Sequence, residues 1–269
     1  MDECTLSDGA VVAYQRRGAG EPLLQIHGSA FGHRNFERLS PHLARNFEVI
    51  DFDLPGFGQS RGGRPITGFA DLAAQVAELI EALGYDRVHV HGTSFGAMIG
   101  FTLAAEHPQL IDRLVLSCFL ARYDQAARVM RATWKRVAAD SGMEAVADLT
   151  AVAGFARSYF DRDEAEGQLA SMREAFSHTA PEAFVASTET IERTDLSGLA
   201  DLVVAPTLLI AGAEDNMTPY EPSGSGVGMA QLAGSLKDAK SVVIPECGHY
   251  LVIEVPAEVA EMITPFLAG

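Results

Sequence analysis

Val88-His89-Val90-His91-Gly92-Thr93-Ser94-Phe95-Gly96-Ala97-Met98-Ile99 sets an apolar run, a Gly-x-Ser-x-Gly turn and a second apolar run end to end. A short strand, a sharp turn and a buried helix therefore meet at Ser94. In so tight a turn Gly92 and Gly96 are required, because a Cβ at either would collide with the neighbouring strand or helix. Ser94 is held at a strained backbone angle with its hydroxyl exposed, which makes it a candidate nucleophile. The pentapeptide alone is a weak signal. Its strand-turn-helix setting gives it weight, and so do the partners found further along the chain.

Outward from this turn, strands and helices alternate. Cys4-Thr5-Leu6 and Val11-Val12-Ala13-Tyr14 flank Asp8-Gly9, which predicts an antiparallel hairpin with a type I′ turn. Leu23-Leu24-Gln25-Ile26 and Val49-Ile50-Asp51-Phe52 read as strands, with a helix-like segment over 36–44 between them and an amphipathic helix over 69–83 after them. Beyond Ser94 a helix runs to about Glu106, stopped by Pro108, and Leu114-Val115-Leu116 is the next strand. From about Phe119 to Leu199 the strand signal vanishes. Apolar residues there recur at helical spacing: Val129, Met130, Val137; Val146, Leu149, Val152; Leu169, Met172, Phe176; Phe184, Val185, Ile191. Alternation resumes with Thr207-Leu208-Leu209-Ile210, a helix near 229–236, Ser241-Val242-Val243-Ile244 and a closing helix over 256–266. The pattern predicts an α/β fold, a mostly parallel eight-stranded sheet flanked by helices, with an all-helical insertion. The Gly/Ser run at 223–228 follows no strand as a dinucleotide fingerprint would, and reads as a flexible loop.

Composition narrows the chemistry. A chain of 269 residues, 48% hydrophobic and 21% charged, is long enough for one large α/β core with an insertion. Its net charge of −16 argues against nucleic acid or an anionic membrane as partner, since the summed field repels both. The three cysteines, Cys4, Cys118 and Cys247, are widely spaced with no Cys-x-x-Cys pair, so neither a disulfide framework nor a metal site is expected. The acidic start Met1-Asp2-Glu3-Cys4 has no signal-peptide pattern, and no stretch approaches the ~20 apolar residues that span a bilayer. A cytoplasmic protein is the expectation. A homodimer stays open.

A nucleophilic serine needs a base, and the base an orienting acid. After the strand at 207–210 comes Ala211-Gly212-Ala213-Glu214-Asp215, and after that at 241–244 comes Pro245-Glu246-Cys247-Gly248-His249. His249 is the candidate base and Asp215 the candidate acid, with the adjacent Glu214 as rival. The chain order Ser, Asp, His is that of the α/β-hydrolases rather than of chymotrypsin or subtilisin.

With these segments in view the chain resembles the α/β-hydrolase fold superfamily over nearly all its length. His27-Gly28-Ser29 is similar to the family's oxyanion loop, and Asp53-Leu54-Pro55-Gly56-Phe57-Gly58-Gln59-Ser60 to its turn after the following strand. The resemblance implies an oxyanion hole formed by the backbone N–H groups of Ser29 and Phe95, with no metal and no cofactor. It also implies that 1–118 and 200–269 form the hydrolase core and 119–199 a substrate-selecting helical cap. That cap looks most like those of 3-oxoadipate enol-lactonases and of the carbon–carbon hydrolases of aromatic catabolism. Haloalkane dehalogenases and epoxide hydrolases carry Asp where this chain has Ser94, and haloperoxidase-like members typically have Met in place of Phe95.

Other residues carry weaker readings. His27 is a candidate pocket residue, together with Trp134, Phe155 and Phe184, although His27 and His91 are better explained by structural hydrogen bonds. Cys118 reads as a small buried hydrophobe. Arg128, Arg131 and Lys135 form a basic stripe that suits either a substrate carboxylate or, more ordinarily, a solvated helix face. The reading that follows is a serine hydrolase acting on a small carboxylic ester or lactone. A carbon–carbon bond hydrolase is the alternative, and a receptor-like protein with a weakly active triad is the alternative of another class.

Overall fold

The computed structural model describes residues 1–63 and 67–269. Its elements run β1 (Asp2–Thr5), β2 (Val11–Arg17), β3 (Glu21–Ile26), α1 (Ser40–Leu43), β4 (Phe47–Phe52), α2 (Phe69–Ala82), β5 (Val88–Thr93), α3 (Phe95–Glu106) and β6 (Ile111–Ser117). Then follow α4 (Gln125–Ser141), α5 (Met143–Gly154), α6 (Ala165–Ser177), α7 (Pro181–Arg193), β7 (Thr207–Gly212), α8 (Met229–Ser235), β8 (Ala239–Ile244), α9 (Leu251–Glu254) and α10 (Pro256–Leu267). Among the described residues eight strands make one sheet in the order β1-β2-β4-β3-β5-β6-β7-β8. β1, β2 and β4 pair antiparallel, and every later pair is parallel.

Side-chain alternation along the parallel strands explains the layers. Leu24, Ile26, Val90, Leu114, Leu116 and Leu209 face a core shared with α2, α3 and α8. Their neighbours Leu23, Val49, Val115, Leu208 and Ile210 face a second core shared with α1 and α10. With both faces covered, β5 and β7 are buried throughout, and so is every residue of α3 except Glu106. Strands buried on both faces read as continuous apolar runs, as β7 does; β5 departs from this by burying His89 and His91.

α4 to α7 lie between β6 and β7 in the chain and pack on one another, α5 against α4 and α6, and α7 against α4. Three residues counted in their apolar pattern, Val129, Leu149 and Val152, are exposed instead. No helix of the described residues is long and apolar enough to cross a membrane.

Three local expectations change. The first hairpin does not close with a type I′ turn, because Gly9 has positive φ and Asp8 does not. Gly9 N–H donates to Leu6 O and Leu6 N–H to Ala10 O, the pattern of a type I turn followed by a left-handed glycine bulge. Of the segment 36–44 only α1 is helical: Phe36 closes a 3-10 turn, Gly32–Phe36, and the first turn of α1 holds Pro41, which supplies no N–H to a continuous helix. The Gly/Ser run at 223–228 is tied down: Val227 exchanges backbone hydrogen bonds with Ala121 and Arg122, and Ser223 donates to the Asp124 carboxylate that also caps α4.

Candidate active site

Ser94 stands at the junction of β5 and α3 with φ 55° and ψ −115°, a conformation that costs a non-glycine residue about 1–3 kcal/mol. Neighbouring residues enforce it. A Cβ on Gly96 would lie 2.6 Å from the His27 carbonyl oxygen, and one on Gly92 2.8 Å from Ala97 Cα. The Ser94 N–H donates to Ser117 O at 2.8 Å, anchoring the turn to β6. The strain holds the serine side chain on the wall of a cavity instead of letting it fold into the helix.

The candidate base arrives from the other end of the sheet. His249 is buried, and its backbone N–H donates to Gly154 O at 2.6 Å, at the end of α5. Its Nδ1–H donates to Asp215 Oδ2 at 2.9 Å, which leaves Nε2 as the basic nitrogen. Asp215 is itself buried. Oδ1 accepts the N–H groups of Met217 and Thr218, both at 2.8 Å, and Oδ2 accepts the Thr218 hydroxyl at 2.7 Å. Burial works against its charge, but the adjacent His249 and these donors hold the carboxyl below its usual range. Glu214 is excluded as the partner: it is exposed, and its Oε2 accepts the Arg157 N–H at 3.1 Å.

Between serine and histidine lies a narrow cavity. Ser29, Ser94 and His249 line it together with Trp134 and Phe184. Phe95 does not line it, and its ring packs in the core against Phe57 and Phe69. As the first residue of α3, its N–H has no acceptor within the helix and sits at the positive end of the helix dipole. The loop carrying Ser29 is set by Asn35, whose Oδ1 accepts the Gly28 N–H at 2.8 Å.

Two expected pocket residues are elsewhere. His27 is fully buried behind the loop, with Nδ1 2.7 Å from Gly28 O and Nε2 accepting the Leu54 N–H at 2.9 Å. Burial pushes its pKa down, so it is a neutral brace between two turns. Phe155 stacks on Tyr159, with ring centroids 4.4 Å apart, and lines a separate outer cavity beside Glu214. Helical spacing places it near the site but does not say which way it turns. His91 also lies beneath the site, bonded to Gln25 and Ser117.

Several residues of the wall are not evident from the sequence. They include Thr150, Phe176, Met217, Tyr250 and Val252; Arg131, weighed above only as part of the basic stripe, lines the cavity as well. Arg131 is 3% exposed, so the solvated-face reading of the basic stripe fails at that position. Glu254 is buried, and its carboxylate accepts the N–H groups of Gly248 and Ala156, tying the His249 loop to the end of α5. An acid closing the apolar run Leu251-Val252-Ile253 is its sequence signal. Cys118 has a ligand atom within 4.8 Å of those of Asp215 and His249, but burial, then the Asp215 charge, push its thiol pKa well up. It is a thiol beside the Asp215–His249 pair.

A sequence model of the alpha/beta hydrolase fold matches residues 21–256. The chain belongs to the α/β-hydrolase fold family. A 2-hydroxymuconate semialdehyde hydrolase from Pseudomonas sp. strain CF600 is 30% identical to this hydrolase over 263 residues, covering 93% of this chain and 88% of that one. The crystal structure of an enol-lactonase from Burkholderia xenovorans LB400 superposes with a TM-score of 0.88 at 24% identity, covering all of both chains. That of a hydrolase from Pseudomonas aeruginosa PA01 does so with a TM-score of 0.88 at 27% identity, covering 100% and 98%. This α/β-hydrolase is thus an enzyme.

Proposed function

We propose that this hydrolase cleaves a small carboxylic ester or lactone through an acyl-enzyme on Ser94, without a cofactor. The supporting observation is that Ser94, in its strained turn, shares a cavity with His249, whose Nδ1 is bonded to the buried Asp215. Ser94 Oγ attacks the carbonyl carbon while His249 Nε2 takes its proton, and the tetrahedral oxyanion is met by the N–H groups of Ser29 and Phe95. The imidazolium, stabilised by Asp215, returns the proton to the leaving oxygen. In a lactone that hydroxyl stays attached to the acyl group. Water, deprotonated by His249, then releases the acid. In this reading 119–199 act as a cap that roofs the core formed by 1–118 and 200–269, and the small molecule is the partner.

A carbon–carbon hydrolase is the second reading, favoured by the relative named as a 2-hydroxymuconate semialdehyde hydrolase. There the same serine and histidine act on a ketone whose leaving group is a stabilised carbanion. Rapid-quench mass spectrometry separates the two. Short esters and lactones should add an acyl mass to the peptide containing Ser94; turnover of dienoate ketones with no ester or lactone cleavage would select the second reading.

A further inference from the structure

The cavity holds one charge that the proposed mechanism does not use. Arg131 lines it beside Ser29, Ser94 and His249. Its guanidinium lies over the rings of Tyr123 and Trp134, 4.8 and 5.4 Å from their centroids, and Nη2 donates to Tyr123 Oη at 2.8 Å. The other two cations of the stripe are spoken for: Lys135 pairs with Glu192 at 2.7 Å, and Arg128 donates to the backbone oxygens of Glu192 and Tyr123. Arg131 alone turns inward, and among the described residues no carboxylate stands within ion-pairing distance of it. Asp215 acts on the same Tyr123, but His249, Met217 and Thr218 occupy its oxygens.

Among the described residues only Nη2 of this nearly buried guanidinium has a hydrogen-bond partner, and a charge so placed gains from meeting an anion. Its planar fork matches the two oxygens of a carboxylate. Phe31, Trp134, Phe176, Phe184, Met217 and Val252 make the rest of the wall largely apolar, so little competes for that charge. Ser29 Oγ, buried and without a partner among the described residues, offers a second polar contact at the oxyanion end. In a chain of net charge −16 the long-range field repels anions, so an anionic substrate needs such a local cation.

We infer that Arg131, steadied by Tyr123, binds a carboxylate carried by the substrate, whose ester or lactone carbonyl lies at Ser94. The substrate class is then a short monoanionic half-ester or carboxy-lactone. This rests on the serine-hydrolase reading above, and the test keeps the two apart. Monomethyl succinate is compared with methyl 4-methylpentanoate, in which an isopropyl group replaces the carboxylate atom for atom. The wild type should prefer the half-ester by about 100-fold in kcat/KM, chiefly through KM, as expected for a desolvated bidentate pair. Arg131→Met should shrink the preference to about 3-fold, and Arg131→Lys, which keeps the charge without the fork, should leave about 10-fold. Absence of a preference in the wild type, or an equal fall on both esters in Arg131→Met, would overturn the proposal. Calorimetric titration of succinate into Ser94→Ala, with and without Arg131→Met, reads the site independently of turnover. Succinate binding that needs Arg131, with no ester cleavage at all, would retain the carboxylate site and remove the hydrolase reading. Ester cleavage through Ser94, with no half-ester preference and no succinate binding, would do the reverse.

Discussion

Asp215→Asn is the substitution whose effect the geometry constrains most. The two carboxylate oxygens accept from four donors: the Met217 and Thr218 N–H groups, the Thr218 hydroxyl and His249 Nδ1–H. In the variant the amide's carbonyl oxygen keeps the two backbone N–H groups, since an amide NH₂ cannot accept them. The NH₂ therefore faces His249 Nδ1 and donates to it. The imidazole is forced into the tautomer with the proton on Nε2, where it cannot take the Ser94 proton, and the imidazolium loses its counter-charge. A change of this kind lowers kcat by about 10,000-fold, or about 5.5 kcal/mol of transition-state stabilisation. Because most of the bonds survive, the fold should lose only about 1 kcal/mol. The assay is kcat on an activated ester, with a denaturant melt on the same preparation. A loss under 10-fold in Asp215→Asn, together with a large loss in Glu214→Gln, would refute the assignment of the acid.

Other consequences follow from the same geometry. Glu254→Gln sets an amide donor against the N–H groups of Gly248 or Ala156 and should cost about 2 kcal/mol; a thermal melt indistinguishable from wild type would contradict it. Gly96→Ala drives a methyl against the His27 carbonyl oxygen and should destabilise by about 3 kcal/mol or more, read as a lower midpoint in urea. Burial raises the Asp51 carboxyl from 3.8 to about 6, so the folded protein holds a proton that the unfolded chain releases. Its contribution to stability is complete below pH 3.8 and is lost as pH rises through about 6, a cost of about 3 kcal/mol at neutrality. Asp51→Asn should therefore gain on the wild type between pH 4 and pH 7 in denaturant melts, and an unchanged difference would count against it.

What could be read in the sequence was what depends on neighbours along the chain. The glycines about Ser94, the apolar run of β7, and the loops ending in Asp215 and His249 are local patterns that the sheet order then brings together. Orientation across the fold was not legible. Arg131 sits in a helix whose outer cations look alike in sequence, and only the packing of Tyr123 and Trp134 turns it inward. Phe155 has the composition of a pocket wall, yet its stack on Tyr159 faces another cavity. Glu214 and Asp215 are adjacent and chemically equivalent on paper. Burial of one and the contact of the other with Arg157 separate them.

The most direct test is labelling by a fluorophosphonate probe, wild type against Ser94→Ala, alongside hydrolysis of short methyl esters and lactones. Stoichiometric labelling and turnover in the wild type, both abolished in Ser94→Ala, are the predicted result. Labelling or turnover that persists in Ser94→Ala would place the nucleophile elsewhere and contradict the account.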